Sequence, residues 1–385
     1  MFRERIEIGI TWLVGQRFAM QRLLERLVRQ SSFTGDPTGV NATVAMVEAE
    51  LRRIGIATAH IRSQSYGDHL YFETSGASAS EPIFFIGHLD TVFPRRTFDG
   101  FELEGDLARG PGTFDMKGGI VICLFALEAL ARAALLRHVA ARGLFVSDEE
   151  VGSPDSEHHL RERAAGSSCA LGLESGRPGD QIVTQRKGVA ALLAEATGVA
   201  AHAGNEHQTG KNAIWSLARF VERAQLLTDY KRGVTVNVGT FQGGTAKNTV
   251  PELARAEVDL RYTSLSEGEQ VFAALQTAAR ETALEGTSIA LKKVAWRPPM
   301  ARTEASGALA REYGTCQEES GLGSGEAPLA GGGSDACTTS AVGIPSIDGL
   351  GPRGSGYHTT AERVDLSSLV PKAVALARFL GRKAH

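Results

Sequence analysis

Five short segments carry acidic residues and histidines beside stretches that favour buried strands or tight turns. They are Gly87–Asp90, Gly112–Gly118, Ser147–Glu150, Leu173–Ser175 and Gly356–His358. Ligands of open α/β sheets bind outside the carboxyl ends of the strands, so we expect these side chains to meet in one crevice. Several carboxylates gathered there repel one another unless a cation neutralises them. Imidazole and carboxylate without thiolate suit zinc or a similar divalent ion, so the segments predict a dinuclear metal site.

The spacing inside two of these segments indicates separate roles for neighbouring residues. His88 followed by Asp90 is the pattern of a ligand imidazole and a carboxylate that orients it. Glu149 and Glu150 are adjacent at a strand end, so their side chains point in different directions. One of them can bind metal while the other acts as a general base on water. A single histidine or Glu-Glu pair is more often an ordinary surface feature, so the prediction depends on all five segments together.

The elements that position these segments alternate between helices and apolar strands. Helical spacing predicts helices over residues 5–29, 41–54 and 117–136. Apolar runs predict strands over residues 70–72, 83–86, 144–146 and 170–173. Uniformly apolar strands are typical of a sheet that is covered on both faces. The alternation therefore predicts an α/β fold with a mainly parallel sheet.

A different pattern occupies the middle of the chain. Residues 254–261 alternate between apolar and charged, which is typical of a sheet with one face in water. Further strands are predicted over 189–197 and 234–241, and helices over 212–227 and 267–285. The earlier pattern returns after Pro299, with a buried strand at 344–347 and a closing helix over 366–380. We therefore predict a discontinuous α/β catalytic domain, 1–183 and 298–385, interrupted by an inserted α+β domain, 184–297.

Composition excludes several classes of protein. The 385 residues include 41 Lys and Arg against 44 Asp and Glu, and a net charge of −3 argues against a nucleic-acid binder. Four widely spaced cysteines favour reduced thiols over a disulfide framework. No window approaches 18 uninterrupted apolar residues, so no membrane association is expected. The N-terminal residues are too charged for a signal peptide, so the expected location is cytoplasmic, with a removed leader as the alternative.

Ordered motifs along the chain resemble those of the di-zinc amidohydrolase family. They are GHLDTV, GPGTFDMKGG, SDEEVGS, LESG, AHAG, GGGSDA and GLGPRGSGYH. This family of metallopeptidases and aminoacylases includes glutamate carboxypeptidases, acetylornithine deacetylases, succinyl-diaminopimelate desuccinylases and peptidase T. The resemblance extends from about residue 9 to the C-terminus and is strongest to the bacterial glutamate carboxypeptidases. It implies a zinc-hydrolase catalytic domain with an inserted lid that forms a homodimer.

The resemblance also implies roles for the residues of the five segments. It implies two Zn²⁺ ions, with Co²⁺ or Mn²⁺ as alternatives, and Asp115 as the carboxylate that bridges them in a turn with a cis peptide. The other implied ligands are His88 and Glu174 for one metal, and Glu150 and His358 for the other. Asp90 corresponds to the residue that orients the histidine. Glu149 corresponds to the catalytic base, which activates a water that bridges the metals.

On the inserted domain the resemblance implies one catalytic residue, His202, and several substrate-binding residues. His202 corresponds to a histidine that reaches into the partner's active site and polarises the scissile carbonyl. Asn248 and Arg261 correspond to residues that hold the free carboxylate of the substrate. The run Gly331–Gly333, with Gly332 and Gly333 as candidate contacts, corresponds to a loop that lines the pocket. Arg353 lies at a position of the final loop where the glutamate carboxypeptidases tend to have apolar residues. It is a candidate second anchor for an acidic substrate.

The predicted function is a zinc-dependent carboxypeptidase or amidohydrolase. It cleaves the amide bond of a peptidyl or N-acyl amino acid and releases a C-terminal residue that resembles glutamate. The main alternative is an N-acyl amino acid deacylase of the acetylornithine deacetylase or desuccinylase type. A non-catalytic metal-binding scaffold is a further alternative, against which Glu149 argues. A nucleotide enzyme that uses Gly331–Gly333 is disfavoured, because the sequence lacks the glycine-rich phosphate-binding motifs.

Overall fold

A computed structural model of the chain describes residues 2–77 and 81–384. The chain divides into two compact units. The first contains residues up to Gln185, Arg302–Leu329 and those from Ser334 onward, and the second contains Arg186–Ala301 and Ala330–Gly333. These boundaries lie a few residues after the predicted ones. The glycine run groups with the second unit because Lys187 N donates to Ala330 O at 2.9 Å, and Arg186 Nη1 donates to Gly332 O at 3.1 Å.

The helices of the described residues are numbered in chain order. They are α1 (Phe2–Val14), α2 (Arg17–Arg29), α3 (Pro37–Arg53), α4 (Gly118–Arg132), α5 (Glu157–Ala164), α6 (Ala213–Gln225), α7 (Leu265–Thr282), α8 (Glu304–Glu318), α9 (Ala336–Ala341) and α10 (Leu369–Arg382). None of these described helices is long and apolar enough to cross a membrane.

The strands are numbered in the same way. They are β1 (Ala57–Ile61), β2 (His69–Glu73), β3 (Ile83–His88), β4 (Glu102–Glu104), β5 (Leu107–Arg109), β6 (Ala141–Val146), β7 (Cys169–Gly172), β8 (Gly188–Thr197), β9 (Ala201–His202), β10 (Thr235–Gly243), β11 (Thr249–Val250), β12 (Leu253–Tyr262), β13 (Ser288–Arg297), β14 (Ser346–Ile347), β15 (Gly354–Ser355) and β16 (Arg363–Asp365).

The main sheet of the first unit has the order β1-β2-β6-β3-β7-β14. Strands β6, β3, β7 and β14 are parallel, whereas β1 and β2 add an antiparallel edge. Every residue of the central strand β3 is buried, as expected of a strand covered on both faces. The predicted α/β class is therefore confirmed. The register aligns His88 with Val146, so that β3 and β6 end together.

Helix α4 contributes much of the core of this unit because nearly all its residues are buried. It packs against α1 and α10. The helical spacing over residues 5–29 predicted one segment, but the structure has two helices separated by Gly15 and Gln16, whose N–H groups turn back to the carbonyls of Trp12 and Leu13. A smaller sheet of order β15-β16-β5-β4 was not predicted, because its strands are only two or three residues long.

The second unit contains an antiparallel sheet of order β10-β12-β8-β13. Alternate residues of β12 are buried against α6 and α7, as the period of two in the sequence predicted. The short strands β9 and β11 form a separate antiparallel pair, in which His202 lies opposite Thr249. His202, predicted to be catalytic, is therefore part of this pair, and Asn248, predicted to bind substrate, directly precedes β11.

Candidate metal centre and active site

Two clusters of possible metal ligands share Asp115. His88, Asp115 and Glu174 form one cluster, and Asp115, Glu150 and His358 form the other. His88 Nε2 lies 3.3 Å from Asp115 Oδ1 and 3.8 Å from Glu174 Oε1. His358 Nε2 lies 3.4 Å from Asp115 Oδ2 and 3.0 Å from Glu150 Oε2. Each oxygen of the Asp115 carboxylate thus faces a different histidine, which is the arrangement of a carboxylate that bridges two ions.

The parallel strands bring three of these ligands together. His88 is the last residue of β3, Glu150 follows β6 in a short 3₁₀ turn, and Glu174 lies two residues beyond β7. Because β6, β3 and β7 are adjacent and parallel, their carboxyl ends meet at one edge of the sheet. Asp115 lies in the turn before α4, where its peptide bond to Met116 is cis. His358 lies in the loop between β15 and β16.

The electrostatics of the cluster fit divalent cations. Burial raises the pKa of Glu150 to about 7 and raises the pKa of Glu174 well above its ordinary value. The charges of Asp115 and Glu149 add to both increases. Hydrogen bonds with Asp115 and Glu150 raise the pKa of His358 to about 10. Carboxylate oxygens and imidazole nitrogens are ligands that Zn²⁺ and similar ions accept, so the residues present fit a two-metal centre.

Asp90 contacts both ligand clusters through different atoms. His88 Nδ1 lies 3.0 Å from the main-chain oxygen of Asp90 and 3.4 Å from its Oδ1. The other carboxylate oxygen, Oδ2, accepts hydrogen bonds from Thr34 Oγ1 at 2.8 Å and from Glu150 N at 3.2 Å. Asp90 therefore orients the His88 ring and fixes the backbone of Glu150.

Glu149 lies in the turn with Glu150 and is half-buried. Its charge raises the pKa of both Glu150 and Glu174, yet it belongs to neither ligand cluster. The preceding Asp148 holds the turn, because its Oδ2 accepts hydrogen bonds from Asp155 N at 2.8 Å and Ser156 N at 3.1 Å. A carboxylate outside the ligand clusters is the type of group that acts as a general base toward water.

Gly119 allows α4 to begin directly against the segment that carries Glu174. A Cβ atom at this position would lie 2.0 Å from Leu173 O. We predict that Gly119→Ala lowers the free energy of unfolding by about 1–3 kcal/mol, because the strand end or the helix must shift. Denaturant unfolding checks the stability, and metal titration checks the displacement of Glu174. Gly314→Ala is the matched control, since its Cβ would lie 3.4 Å from Ser324 Cβ, and equal behaviour of the two variants would contradict the prediction.

In the second unit, His202 is exposed with a defined ring tautomer. Its Nδ1 accepts hydrogen bonds from Gly204 N at 3.2 Å and Asn205 N at 3.1 Å. The ring proton of neutral His202 is therefore on Nε2, where it can be donated. The main-chain oxygen of Asn248 accepts a hydrogen bond from Ala203 N at 2.9 Å. The structure thus brings His202 and Asn248 close together.

Arg261 is held by an acidic residue two positions earlier on β12. Its Nε and Nη2 donate to the two carboxylate oxygens of Asp259 at 2.7 and 2.8 Å. Its Nη1 donates to Gly331 O at 3.3 Å, which places the glycine run beside the guanidinium. Sequence reasoning missed Asp259, although residues two apart on a strand share a face.

Arg353 lies in the first unit and is bound to Asp180. Its Nε donates to Asp180 Oδ1 at 3.0 Å, and Nη2 donates to Oδ2. Asp180 is fully buried, and Lys372 Nζ lies 3.3 Å from its Oδ1. Substrate binding by Arg353 stays a prediction, and the guanidinium edge that Asp180 occupies would not be free for it.

Known proteins resemble this chain along most of its length. The family model of the M20 peptidase dimerisation domain matches residues 184–287. Carboxypeptidase G2 of Pseudomonas sp. (strain RS-16) is 28% identical over 94% of this chain and 88% of that protein. A succinyl-diaminopimelate desuccinylase of Cereibacter sphaeroides is 29% identical over 81% of this chain and 86% of that protein.

A solved structure agrees in fold. The M20 family metallo-carboxypeptidase Sso-CP2 of Sulfolobus solfataricus superposes with a TM-score of 0.77 at 18% identity, over 94% of this chain and 99% of that one. The matched domain and these curated relatives support the M20 metallopeptidase family. They indicate a hydrolase, and the match to the peptidase dimerisation domain covers most of the second unit.

Proposed function

We propose that the protein is a two-metal carboxypeptidase or amidohydrolase that releases an amino acid with a free carboxylate, glutamate being the first candidate. The observation that carries the proposal is the shared Asp115, which faces a histidine on either side while Glu149 stays outside both ligand clusters. The relationship to carboxypeptidase G2 supports this choice.

The ligands would be His88 and Glu174 on one side of Asp115, and Glu150 and His358 on the other. Two divalent ions held there would lower the pKa of a water to about 7 and polarise the scissile carbonyl. Glu149 accepts the proton of the attacking water and passes it to the leaving nitrogen. Asp90 keeps the His88 ring and the Glu150 backbone in place during this transfer.

Arg261 is proposed to bind the free carboxylate of the substrate. Asp259 engages Nε and Nη2, so the guanidinium plane is fixed while N–H groups of Nη1 and Nη2 remain for a ligand. A planar guanidinium binds a carboxylate through two parallel hydrogen bonds, which an ammonium group does not reproduce.

We predict that Arg261→Lys raises KM for a substrate with a free α-carboxylate by about 10–100-fold, the equivalent of one charge-assisted hydrogen bond. The carboxamide analogue of that substrate should show little change, because it offers no carboxylate to Arg261. Arg255→Lys, on the same exposed face of β12 and paired with Glu195, is the matched control. An equal rise in KM for both substrates would contradict the assignment.

His202 is proposed to donate its Nε2–H to the carbonyl of a substrate bound in the partner subunit of a homodimer. The hydrogen bonds that Nδ1 accepts support the donor role of Nε2, and the dimerisation domain supports the dimer. Such a donor stabilises the charge that develops on the carbonyl oxygen.

Complementation tests the homodimer. His202→Ala and Glu149→Gln proteins are each expected to be nearly inactive, and each should keep its metals. When they are mixed under exchange conditions, we predict about one quarter of wild-type activity, since half of the dimers are mixed and each then has one intact site. The activity is measured after subunit exchange has been verified by native mass spectrometry. Verified mixed dimers without activity would contradict a shared site.

A hydrolysis screen of the Zn²⁺-loaded protein tests the proposed function. The protein is given peptidyl and N-acyl derivatives of glutamate, aspartate and neutral amino acids. The amino acid that it releases is then identified. Release of glutamate is the expected result. Preferential cleavage of N-acetyl or N-succinyl amino acids would instead favour the deacylase alternative, which the similarity to a succinyl-diaminopimelate desuccinylase supports. Two bound metals without hydrolysis of any substrate would favour a scaffold.

A further inference from the structure

Glu362 is a fully buried carboxylate that accepts hydrogen bonds from three backbone N–H groups. Its Oε1 accepts from Phe114 N and Asp115 N, both at 2.9 Å, and its Oε2 accepts from Gly112 N at 3.1 Å. Both oxygens are therefore in use. A buried carboxylate committed to backbone N–H groups defines the local conformation, because each unpaired N–H would be costly.

The three N–H groups belong to the turn that presents Asp115. Two other backbone hydrogen bonds stabilise this turn: Thr113 N donates to Gly110 O, and Lys117 N donates to Gly112 O. Lys117 also fixes the end of the turn, since its buried Nζ donates to the main-chain oxygens of Leu27 and Gln30. Glu362 supplies the acceptors for the middle of the turn, immediately beside the Asp115 carboxylate.

Glu362 also belongs to the loop that presents His358. Within this loop, Thr359 N donates to Gly356 O and Glu362 N donates to Thr359 O, both at 3.1 Å. The main-chain oxygen of Glu362 accepts a bond from Gly110 N at 3.3 Å, and β16 pairs with β5 directly alongside. Glu362 therefore joins the turn that presents Asp115 to the loop that presents His358. Glu362 and Asp115 are 247 residues apart in the sequence.

We propose that Glu362 is a positioning residue of the metal centre. It fixes Asp115 and His358 relative to each other, so that the cluster of Asp115, Glu150 and His358 is formed before any ion binds. The inference rests on the metal centre proposed above, and it assigns no contact between Glu362 and metal or substrate.

Glu362→Gln tests the proposal because an amide keeps one acceptor oxygen and replaces the other with an N–H₂ group. At least one of the three backbone N–H groups then faces a donor. Glu128→Gln is the matched control, because Glu128 is also buried and its carboxylate is bound by Arg53 and Arg132. Both variants are expected to lose stability, so stability alone does not distinguish a positioning role from a structural one.

The deciding measurement is calorimetric titration of chelator-treated protein with Zn²⁺. We expect Glu362→Gln to bind at least one of two Zn²⁺ ions about 10–100-fold more weakly than wild type, as is typical for partners of metal ligands. Glu128→Gln should match wild type. Amide hydrogen exchange of the metal-free protein should be faster over residues 110–116 in Glu362→Gln alone. Unchanged Zn²⁺ affinity, or a loss no larger than in Glu128→Gln, would overturn the proposal.

If Glu362→Gln does not fold, Glu362→Asp gives the same comparison against Glu128→Asp. Aspartate keeps both acceptor oxygens but is one methylene shorter, so a smaller loss of Zn²⁺ affinity is expected. Equal affinities of the two aspartate variants would overturn the proposal. Binding of two Zn²⁺ by wild-type protein without hydrolysis would contradict the proposed function only, since the affinity difference between variants does not depend on a substrate.

Discussion

Glu149→Gln is expected to keep both metal ions and to lose turnover by about two to four orders of magnitude, the usual contribution of a general base. The amide has nearly the same shape as the carboxylate but cannot accept the proton of the attacking water. Metal retention is expected because Glu149 is in neither ligand cluster. The measurements are metal content by mass spectrometry and kcat on the substrate that the screen identifies.

Glu157→Gln is the control for this experiment. Glu157 is an accessible glutamate on α5 that pairs with Arg161, so its loss should leave kcat unchanged. Near-full turnover of Glu149→Gln with two metals bound would contradict the mechanism. Loss of a metal from Glu149→Gln would instead make Glu149 a ligand, which the two clusters do not predict.

Asp115→Asn is expected to have the largest effect on metal binding of any single ligand. Because each carboxylate oxygen faces a different histidine, an amide removes a negative charge and one donor oxygen from a residue common to both clusters. We expect Zn²⁺ affinity to fall at both sites and hydrolysis to be abolished. Glu174→Gln should weaken only one of the two sites, since Glu174 belongs to one cluster.

The comparison needs a control for the loss of one aspartate charge. Asp106→Asn supplies it, because Asp106 is an exposed partner of Arg17 outside both clusters. Calorimetric titration with Zn²⁺ gives the number and affinity of the sites for each protein. Two tight sites in Asp115→Asn, or a loss confined to one site as in Glu174→Gln, would contradict a bridging role.

Much of the candidate site could be predicted because strand ends are visible in sequence. The apolar runs before His88, Glu150 and Glu174 correspond to adjacent parallel strands, and such strands end at a common edge. Asp115 and His358 follow no such strand. Their assignment depended on the motif resemblance, and the structure brings them to the same place through a turn and a loop.

The residues that hold the site were less visible. Glu362 is one of many glutamates in the sequence, and its importance comes from three backbone N–H groups on a segment far away in the chain. Asp259 could have been found, because it shares a strand face with Arg261. Thr34, which donates to Asp90, lies in a segment without any motif. Long-range contacts of this kind follow from tertiary packing rather than from local pattern.

The glycine-rich stretch shows a similar limit. Five glycines between residues 321 and 356 adopt positive φ, as tight turns require: Gly321, Gly325, Gly343, Gly349 and Gly356. The sequence does not indicate that Ala330–Gly333 groups with the second unit, because that grouping depends on hydrogen bonds from Arg186, Lys187 and Arg261.

The two-metal centre is tested most directly by anomalous diffraction from crystals of the Zn²⁺-loaded protein, recorded at the zinc absorption edge. We predict two peaks about 3.5–4 Å apart on either side of the Asp115 carboxylate. One peak should lie beside His88 and Glu174, and the other beside Glu150 and His358. A single peak, or zinc bound away from Asp115, would contradict the account.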